Sequence, residues 1–157
     1  RSRHKWDPVA VNAGHFFRHH WSGDLINEEH AQAIKQLAVA VPNTSFAIYT
    51  RSFRWVRSML HTNNLTVCIS ADRDNWSNAV NTWTRTRKWL TKSGMSTTPL
   101  RFTAMLAPDE PVPVVPGVTR WTDCPVDVGK LPLESGCAKC KLCWRGPGDH
   151  VGVVFRT

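Results

Sequence analysis

Four of the chain's five cysteines lie close together near its carboxyl end, at Cys124, Cys137, Cys140 and Cys143. The last three follow a C-x2-C-x2-C pattern, and Cys124 stands thirteen residues before the first of them. Thiolates are ligands for zinc and for iron–sulfur clusters, and a short loop can present several of them to one centre. The sequence therefore predicts a metal site with Cys124, Cys137, Cys140 and Cys143 as its ligands.

The spacing favours a [4Fe–4S] cluster and leaves zinc as the alternative. Structural zinc sites usually take paired C-x2-C knuckles from two separate hairpins, whereas here three ligands share one loop. Such a loop can reach three iron corners of a cubane, and a remote cysteine can reach the fourth. Disulfides are disfavoured, because an odd number of cysteines leaves one thiol over and Cys68 falls in an apolar stretch. Four ligands saturate one cubane, so the segment is expected to act as a clasp or an electron store.

The elements that must position these residues alternate between strands and helices. Apolar stretches predict strands at 15–21, 45–50, 65–70 and 100–106, and helical spacing predicts helices at 27–41, 52–62 and 75–93. Asn27 and Asn75 are the expected N-caps, and Gly94 is the expected stop of the third helix. This rhythm predicts an α/β fold with a small parallel βαβ sheet. Trp76 and Trp83 recur at helical spacing with Val80, Arg87 and Leu90, so these tryptophans are expected to face the core.

The chain changes character after residue 106. Residues 1–106 are predicted to form the α/β domain. Residues 107–157 are predicted to hold a proline-rich connector, a C-terminal cysteine-rich metal-binding flap and a terminal strand, all packed on the same domain. The terminal strand, "HVGVVFRT", is expected at the edge of the sheet.

Polar residues follow three of the predicted strands and should meet at one edge, where parallel α/β sheets bind ligands. As catalytic candidates, Asp24 and Asp72 offer acid, base or metal-anchoring chemistry, and Arg51 and Arg73 offer guanidinium groups for an anion. The candidate cofactor-binding residues beside them are Ser22, Gly23, Thr50 and Ser52. An enzyme acting on a phosphate- or nucleoside-bearing ligand is thus the alternative function. Both aspartates also precede predicted helices, where carboxylates commonly serve as caps.

The histidines of "HFFRHHW" offer a further metal pair, His15 and His19, which strand alternation places on one face. Nothing else in the sequence supports that pair as ligands. We favour the interpretation that these histidines form hydrogen bonds within the protein or are exposed to solvent.

The formal charge of +8 suggests a polyanionic partner. Four thiolates on a metal would lower that charge to about +6, because a Zn(Cys)4 or cubane site carries about −2. One expected partner is nucleic acid or a protein that handles it; the alternative is a merely basic surface, part of whose charge compensates the metal site through Lys130, Lys139, Lys141 and Arg145. The chain has no apolar run of about 20 residues and no signal-peptide pattern, so a cytoplasmic protein without membrane contact is expected. It begins without a methionine, which leaves a fragment or processed product open.

The motifs "RHHWSGDL", "YTRSF", V-x-I-S-x-D and "CPVD" followed by C-x2-C-x2-C-W resemble, in this order, the gene-product-88-like proteins of phages and mobile elements. That resemblance implies a partial (β/α) barrel, a radical-SAM-like iron–sulfur protein, and a cofactor or substrate face. The implied face consists of Ser22, Gly23, Asp24, Thr50, Arg51, Ser52 and Asp72.

The chain departs from the family's pattern at its amino-terminal side, where it lacks the C-x3-C-x2-C loop of radical-SAM proteins. Radical-SAM chemistry needs a cluster with one open iron, whereas four C-terminal cysteines saturate a cubane. Such activity would need an upstream segment or a partner chain to supply the missing cysteines. The resemblance thus supports the cluster more than it supports an enzyme.

Overall fold

The computed structural model describes residues 16–19, 24–132, 140, 142–145 and 150–157. Within them, six strands form one sheet in the order β1-β2-β3-β4-β6-β5, and every neighbouring pair is parallel. The strands are β1 Phe16–His19, β2 Ser45–Thr50, β3 Leu65–Ala71, β4 Leu100–Leu106, β5 Arg120–Asp123 and β6 Val151–Arg156. The helices are α1 Glu28–Ala40, α2 Val56–Met59 (preceded by a 3₁₀ turn at Phe53–Trp55), α3 Trp76–Lys92 and α4 Leu142–Arg145. The α/β fold with a parallel sheet is confirmed.

Two of the expected elements differ from the structure. The helix predicted at 52–62 shrinks to the 3₁₀ turn and α2, because Leu60 is extended with ψ 170° and His61 has φ 76°, outside the helical region. The terminal strand β6 was predicted at the edge of the sheet, and this prediction is wrong, because β6 lies between β4 and β5. Its position suits its composition, since Val151, Val153 and Val154 are buried on both faces of the sheet.

One face of the sheet packs against α1, α2 and α3, and it holds the main core. Alternate residues of the strands point to this helical face, among them Phe46, Ile48 and Phe102. Trp83 of α3 is fully buried there, so that part of the prediction for the tryptophans is confirmed. Asn27 caps α1 as expected, with its Oδ1 accepting from His30 N at 2.8 Å. Gly94, at φ 69°, follows α3 as its stop.

The opposite face of the sheet, called the second face below, carries the other alternate residues. Ala47, Cys68 and Val153 lie there with Tyr49 and Phe155 beside them. The short helix α4 packs on this face over β2 and β3. Within the cysteine-rich segment, the described helix α4 therefore lies on the side of the sheet away from the main core. No helix among the described residues is long and apolar enough to cross a membrane.

Candidate functional site

A buried pair of thiols lies at the centre of the second face. Cys68 of β3 is fully buried, and Cys143 of α4 is 8% exposed. A hydrogen bond joins the two sulfurs, with the Cys68 S–H donating to Cys143. Strand alternation brings Cys68 to this face, and the packing of α4 on β3 brings Cys143 to it. The sequence had set Cys68 apart from the other four cysteines, and the structure places it in contact with one of them.

The surroundings of Cys143 favour a negative charge on its sulfur. The hydrogen bond from Cys68 lowers the pKa of Cys143, and a second hydrogen bond from the Tyr49 hydroxyl lowers it further. The charges of Arg18 and Arg101 act in the same direction. Burial by contrast raises the pKa of Cys68 and of Tyr49, which keeps both groups protonated as donors. Arg101 is itself only 2% exposed, and the Arg18 guanidinium lies 4.2 Å from the Tyr49 ring centroid.

Of the other three cysteines predicted as metal ligands, the structure describes two, Cys124 and Cys140. Cys124 follows β5 and packs against the cluster that holds Cys68 and Cys143; burial raises its pKa, and Cys143 contributes to that rise. Cys140 is half-buried, and Cys137 lies outside the described residues. The four described cysteines are free thiols. Among the side chains the structure describes, no three His, Cys, Asp or Glu groups are close enough together to hold a metal ion. Soft donors in an apolar, arginine-flanked setting nevertheless suit a thiolate-bound metal.

The predicted rim at the carboxyl ends of the strands is present, and Asp24 ties two strand ends together. Its Oδ1 accepts from Thr50 Oγ1 at 2.6 Å and from Leu25 N at 2.6 Å, while its Oδ2 accepts from Arg51 N at 2.7 Å. Ser52 N donates to Thr50 Oγ1 at 2.9 Å. Asp24, Thr50 and Ser52 thus form one hydrogen-bonded unit. Ser22 and Gly23 lie outside the described residues, as does His15, and nothing is described of the His19 side chain.

The second carboxylate of the rim, Asp72, is engaged on both oxygens. Its Oδ2 lies 2.5 Å from Arg51 Nη1, and its Oδ1 accepts from the backbone N–H groups of Asp74 and Asn75 at 2.9 and 3.0 Å. Asn75 occupies the N-cap position of α3, but its side-chain oxygen accepts from Asp72 N instead of a helical N–H. Asp72 therefore shapes the turn that opens α3, in addition to pairing with Arg51.

A pocket of about 240 Å³ opens at the same rim, where β4 ends and the proline-rich connector begins. Arg73 Nη2 lies 3.9 Å from Glu110 Oε2 beside it, and Arg73 is 84% exposed. Arg73 is therefore the rim cation best placed to meet a ligand. The pocket is lined by Arg73, Trp76, Met105, Leu106, Glu110, Pro111 and Pro113.

Comparison with known protein families identifies the family of this chain. A family model described as Gene product 88 matches residues 3–146, which include the rim and all five cysteines. The chain belongs to the gene product 88 family. No curated protein and no solved structure matches it. The family description names no activity, so the function of this gene product 88 protein must be argued from its own residues.

Five residues of the gene product 88 protein matter to the site and were missed as site residues in the sequence. Tyr49, Cys68, Arg18 and Arg101 surround Cys143, and Arg156 ties the rim together. The Arg156 Nη1 donates to Ala107 O at 3.0 Å and to Glu110 O at 2.5 Å, and its Nε donates to Asp123 Oδ1 at 3.2 Å. The sequence signal that could have identified such residues was a polar side chain at an alternate position within an apolar strand.

We expect the substitution Asp24→Asn to destabilise the protein by about 1–3 kcal/mol. The new amide group must face at least one of the donors Leu25 N, Thr50 Oγ1 and Arg51 N, which leaves a part-buried donor unsatisfied. Urea unfolding followed by circular dichroism measures the loss. The matched control is Asp74→Asn, because Asp74 is exposed and should change stability by less than about 0.5 kcal/mol. Equal stability of both variants would instead leave the Asp24 carboxylate available for a ligand.

Proposed function

We propose that this gene product 88 protein binds a metal–thiolate centre, preferably a [4Fe–4S] cluster, on the second face of its sheet. The ligands are Cys124, Cys137, Cys140 and Cys143, as their spacing indicates. The observation that carries the proposal is the setting of Cys143. Its sulfur is buried, receives two hydrogen bonds and lies near two arginines, which is an environment built for a thiolate.

Charge balance supports this proposal. A cubane with four thiolates carries about −2, and burying such a charge is costly unless cations and donors compensate it. Arg18 and Arg101 supply two positive charges on the second face. Leu142, Val153 and Phe155 surround the thiols with apolar surface that would limit water access. When bound, the cluster would supply one-electron chemistry and stabilise the packing of the C-terminal segment.

Metal analysis of anaerobically purified protein tests the proposal. We expect roughly four iron and four sulfide per chain and a broad visible absorption, as for a [4Fe–4S] centre. One zinc per chain with neither iron nor sulfide would replace the cluster by the zinc alternative, with the same thiolate ligands. Protein that holds neither metal, after purification without chelators and after reconstitution with iron and sulfide, would contradict the whole proposal.

The proposal extends to a nucleic-acid partner, or a protein that handles nucleic acid, engaged by the basic surface. The net charge of +8 supports this part, and it remains about +6 with the centre bound. Within the described residues, α2 and α3 carry basic side chains and no acidic one. Binding of labelled DNA or RNA over a range of salt concentrations tests it, because phosphate contacts weaken as salt rises.

An enzyme at the rim is the second candidate function, and the pocket beside Arg73 favours it. A guanidinium, the Trp76 indole and the Glu110 carboxylate around one cavity suit a ligand that carries an anion and a ring. The candidate catalytic groups are then Arg73 and Asp72, with Arg51 held on Asp72. Quenching of tryptophan fluorescence by nucleoside phosphates tests this candidate, and its loss in Arg73→Ala would support it.

A further inference from the structure

The acidic residues of this chain are unevenly distributed. Residues 30–71 contain no Asp or Glu, and neither do residues 75–108. The acidic residues within the described ranges lie at or after the carboxyl ends of strands, except that Glu28 and Glu29 open α1. These residues are Asp24, Glu28, Glu29, Asp72, Asp74, Asp109, Glu110, Asp123 and Asp127. Long parts of the helical layer are therefore free of acidic side chains that would offset its basic ones.

The outer side of α3 carries a row of cations. Arg85, Lys88 and Lys92 are exposed, and with the half-buried Trp89 they recur at steps of three and four residues. Residues at such steps lie on one side of a helix. From Arg85 to Lys92 the row is about 10 Å long, since each residue advances the helix by about 1.5 Å. Measured along the axis of a duplex, that length spans roughly three base-pair steps, at about 3.4 Å each.

The neighbouring element extends this row. The Arg57 guanidinium lies 5.1 Å from the Trp89 ring centroid, and the Arg54 guanidinium lies 4.7 Å from the Trp55 ring centroid. His61 also packs edge-on against Trp89, with ring centroids 5.1 Å apart. An indole that holds a guanidinium by its face leaves the N–H groups at the guanidinium edge for a phosphate and reduces the ordering cost on binding. We call Arg54, Arg57, Arg85, Lys88 and Lys92 the basic helical surface; all five are exposed.

We propose that the basic helical surface binds the phosphate backbone of nucleic acid without sequence preference. This inference rests on the nucleic-acid part of the proposed function and assigns it to specific residues. A row of lysine and arginine side chains contacts the charged phosphates, which are the same in every sequence. Recognition of bases would require side chains that enter a groove of the nucleic acid. An anionic membrane is the less suitable partner, because stable membrane binding also needs inserted apolar side chains. Among the described residues, the exposed large apolar side chains all lie outside this surface; they are Ile26, Val39, Met105, Val112, Val114 and Val128.

The experiment measures fluorescence anisotropy of labelled single-stranded and duplex DNA of two unrelated sequences, from low to physiological salt. The test variant is Arg85→Gln/Lys88→Gln. The matched control is Lys35→Gln/Arg120→Gln, which removes one lysine and one arginine from other elements. We expect the test variant to bind about tenfold more weakly and to lose about 1.8 units of the salt slope on duplex DNA and about 1.4 on single strands, as two phosphate contacts would give. The control is expected to change affinity by less than about threefold, through net charge alone.

The possible outcomes distinguish the binding surface, the partner and the mode of binding. Equal weakening of both variants would overturn the assignment to this surface while leaving nucleic-acid binding intact. Absence of binding by the wild type at low salt would overturn both the surface and the nucleic-acid part of the proposed function, without touching the metal centre. Preference for one DNA sequence by more than about tenfold would overturn the backbone mode. Vesicles with anionic lipid serve as a further probe, and binding to them in place of DNA would reject nucleic acid as the partner.

Discussion

Replacing Trp83 with alanine is expected to lower the free energy of unfolding by about 3–5 kcal/mol, which would remove much of the stability of a typical domain. Trp83 is the largest fully buried side chain in the part of the chain that the structure describes, and its ring lies 5.7 Å from that of Phe102 in edge-to-face geometry. Its Nε1 donates to Pro116 O at 2.8 Å, and Arg87 stacks on the ring at 5.0 Å. The residue therefore joins α3, the sheet and the proline-rich connector at one point.

Two further variants separate the contributions in that prediction. Trp83→Phe keeps an aromatic ring in the core, so we expect it to restore a large part of the stability that Trp83→Ala loses. The restoration is incomplete because phenylalanine cannot donate the hydrogen bond to Pro116 O. Trp89→Ala removes a half-buried tryptophan from the same helix and should cost less than Trp83→Ala. Urea unfolding followed by circular dichroism ranks the three. Equal losses for Trp83→Ala and Trp89→Ala would show that burial does not set the cost at position 83.

The strands up to residue 106 and the helices α1 and α3 could be predicted from the sequence because their signals are local, whereas the helix predicted at 52–62 is cut short by the backbone at Leu60 and His61. Asn27 and Gly94 mark helix ends, and apolar stretches such as "SFAIYT" mark buried parallel strands. Strand β5 has no such signal, since its four residues are half-buried or exposed and follow a proline-rich stretch. The position of β6 between β4 and β5 depends on pairing between distant segments, which no local pattern encodes.

Some features of the candidate site likewise have local sequence signals, and others depend on the packing of distant segments. The cysteine spacing is a local signal and led directly to Cys124, Cys140 and Cys143, whereas the contact between Cys143 and Cys68 arises only when α4 packs on β3. The rim was predictable because parallel strands align their carboxyl ends, so Asp24 and Thr50 meet as expected. What their residue types could not show is that Asp24 and Asp72 already accept several hydrogen bonds each.

Replacing Cys143 with alanine is expected to abolish metal binding, with iron content falling from roughly four per chain to near zero. The variant removes a buried sulfur, proposed here as a ligand, to which Cys68 and Tyr49 donate hydrogen bonds. Iron, sulfide and zinc are measured after anaerobic purification, together with the visible absorption spectrum. Circular dichroism of the metal-free proteins checks that the secondary structure persists. Full retention of iron in folded Cys143→Ala protein would remove this residue from the ligand set.

Cys68→Ala is the matched comparison, because it deletes the other sulfur of the same hydrogen-bonded pair. We expect it to keep the metal, since Cys124, Cys137, Cys140 and Cys143 would saturate the proposed centre, and to shift the reduction potential downward. Cys68 and Tyr49 donate to the Cys143 sulfur, and donors to a ligand sulfur stabilise the reduced state, which carries one more negative charge. Tyr49→Phe, which also removes one donor, should shift the potential in the same direction. Loss of iron from folded Cys68→Ala protein would instead make Cys68 a ligand, and unchanged potentials in both variants would leave these donors without influence on the centre.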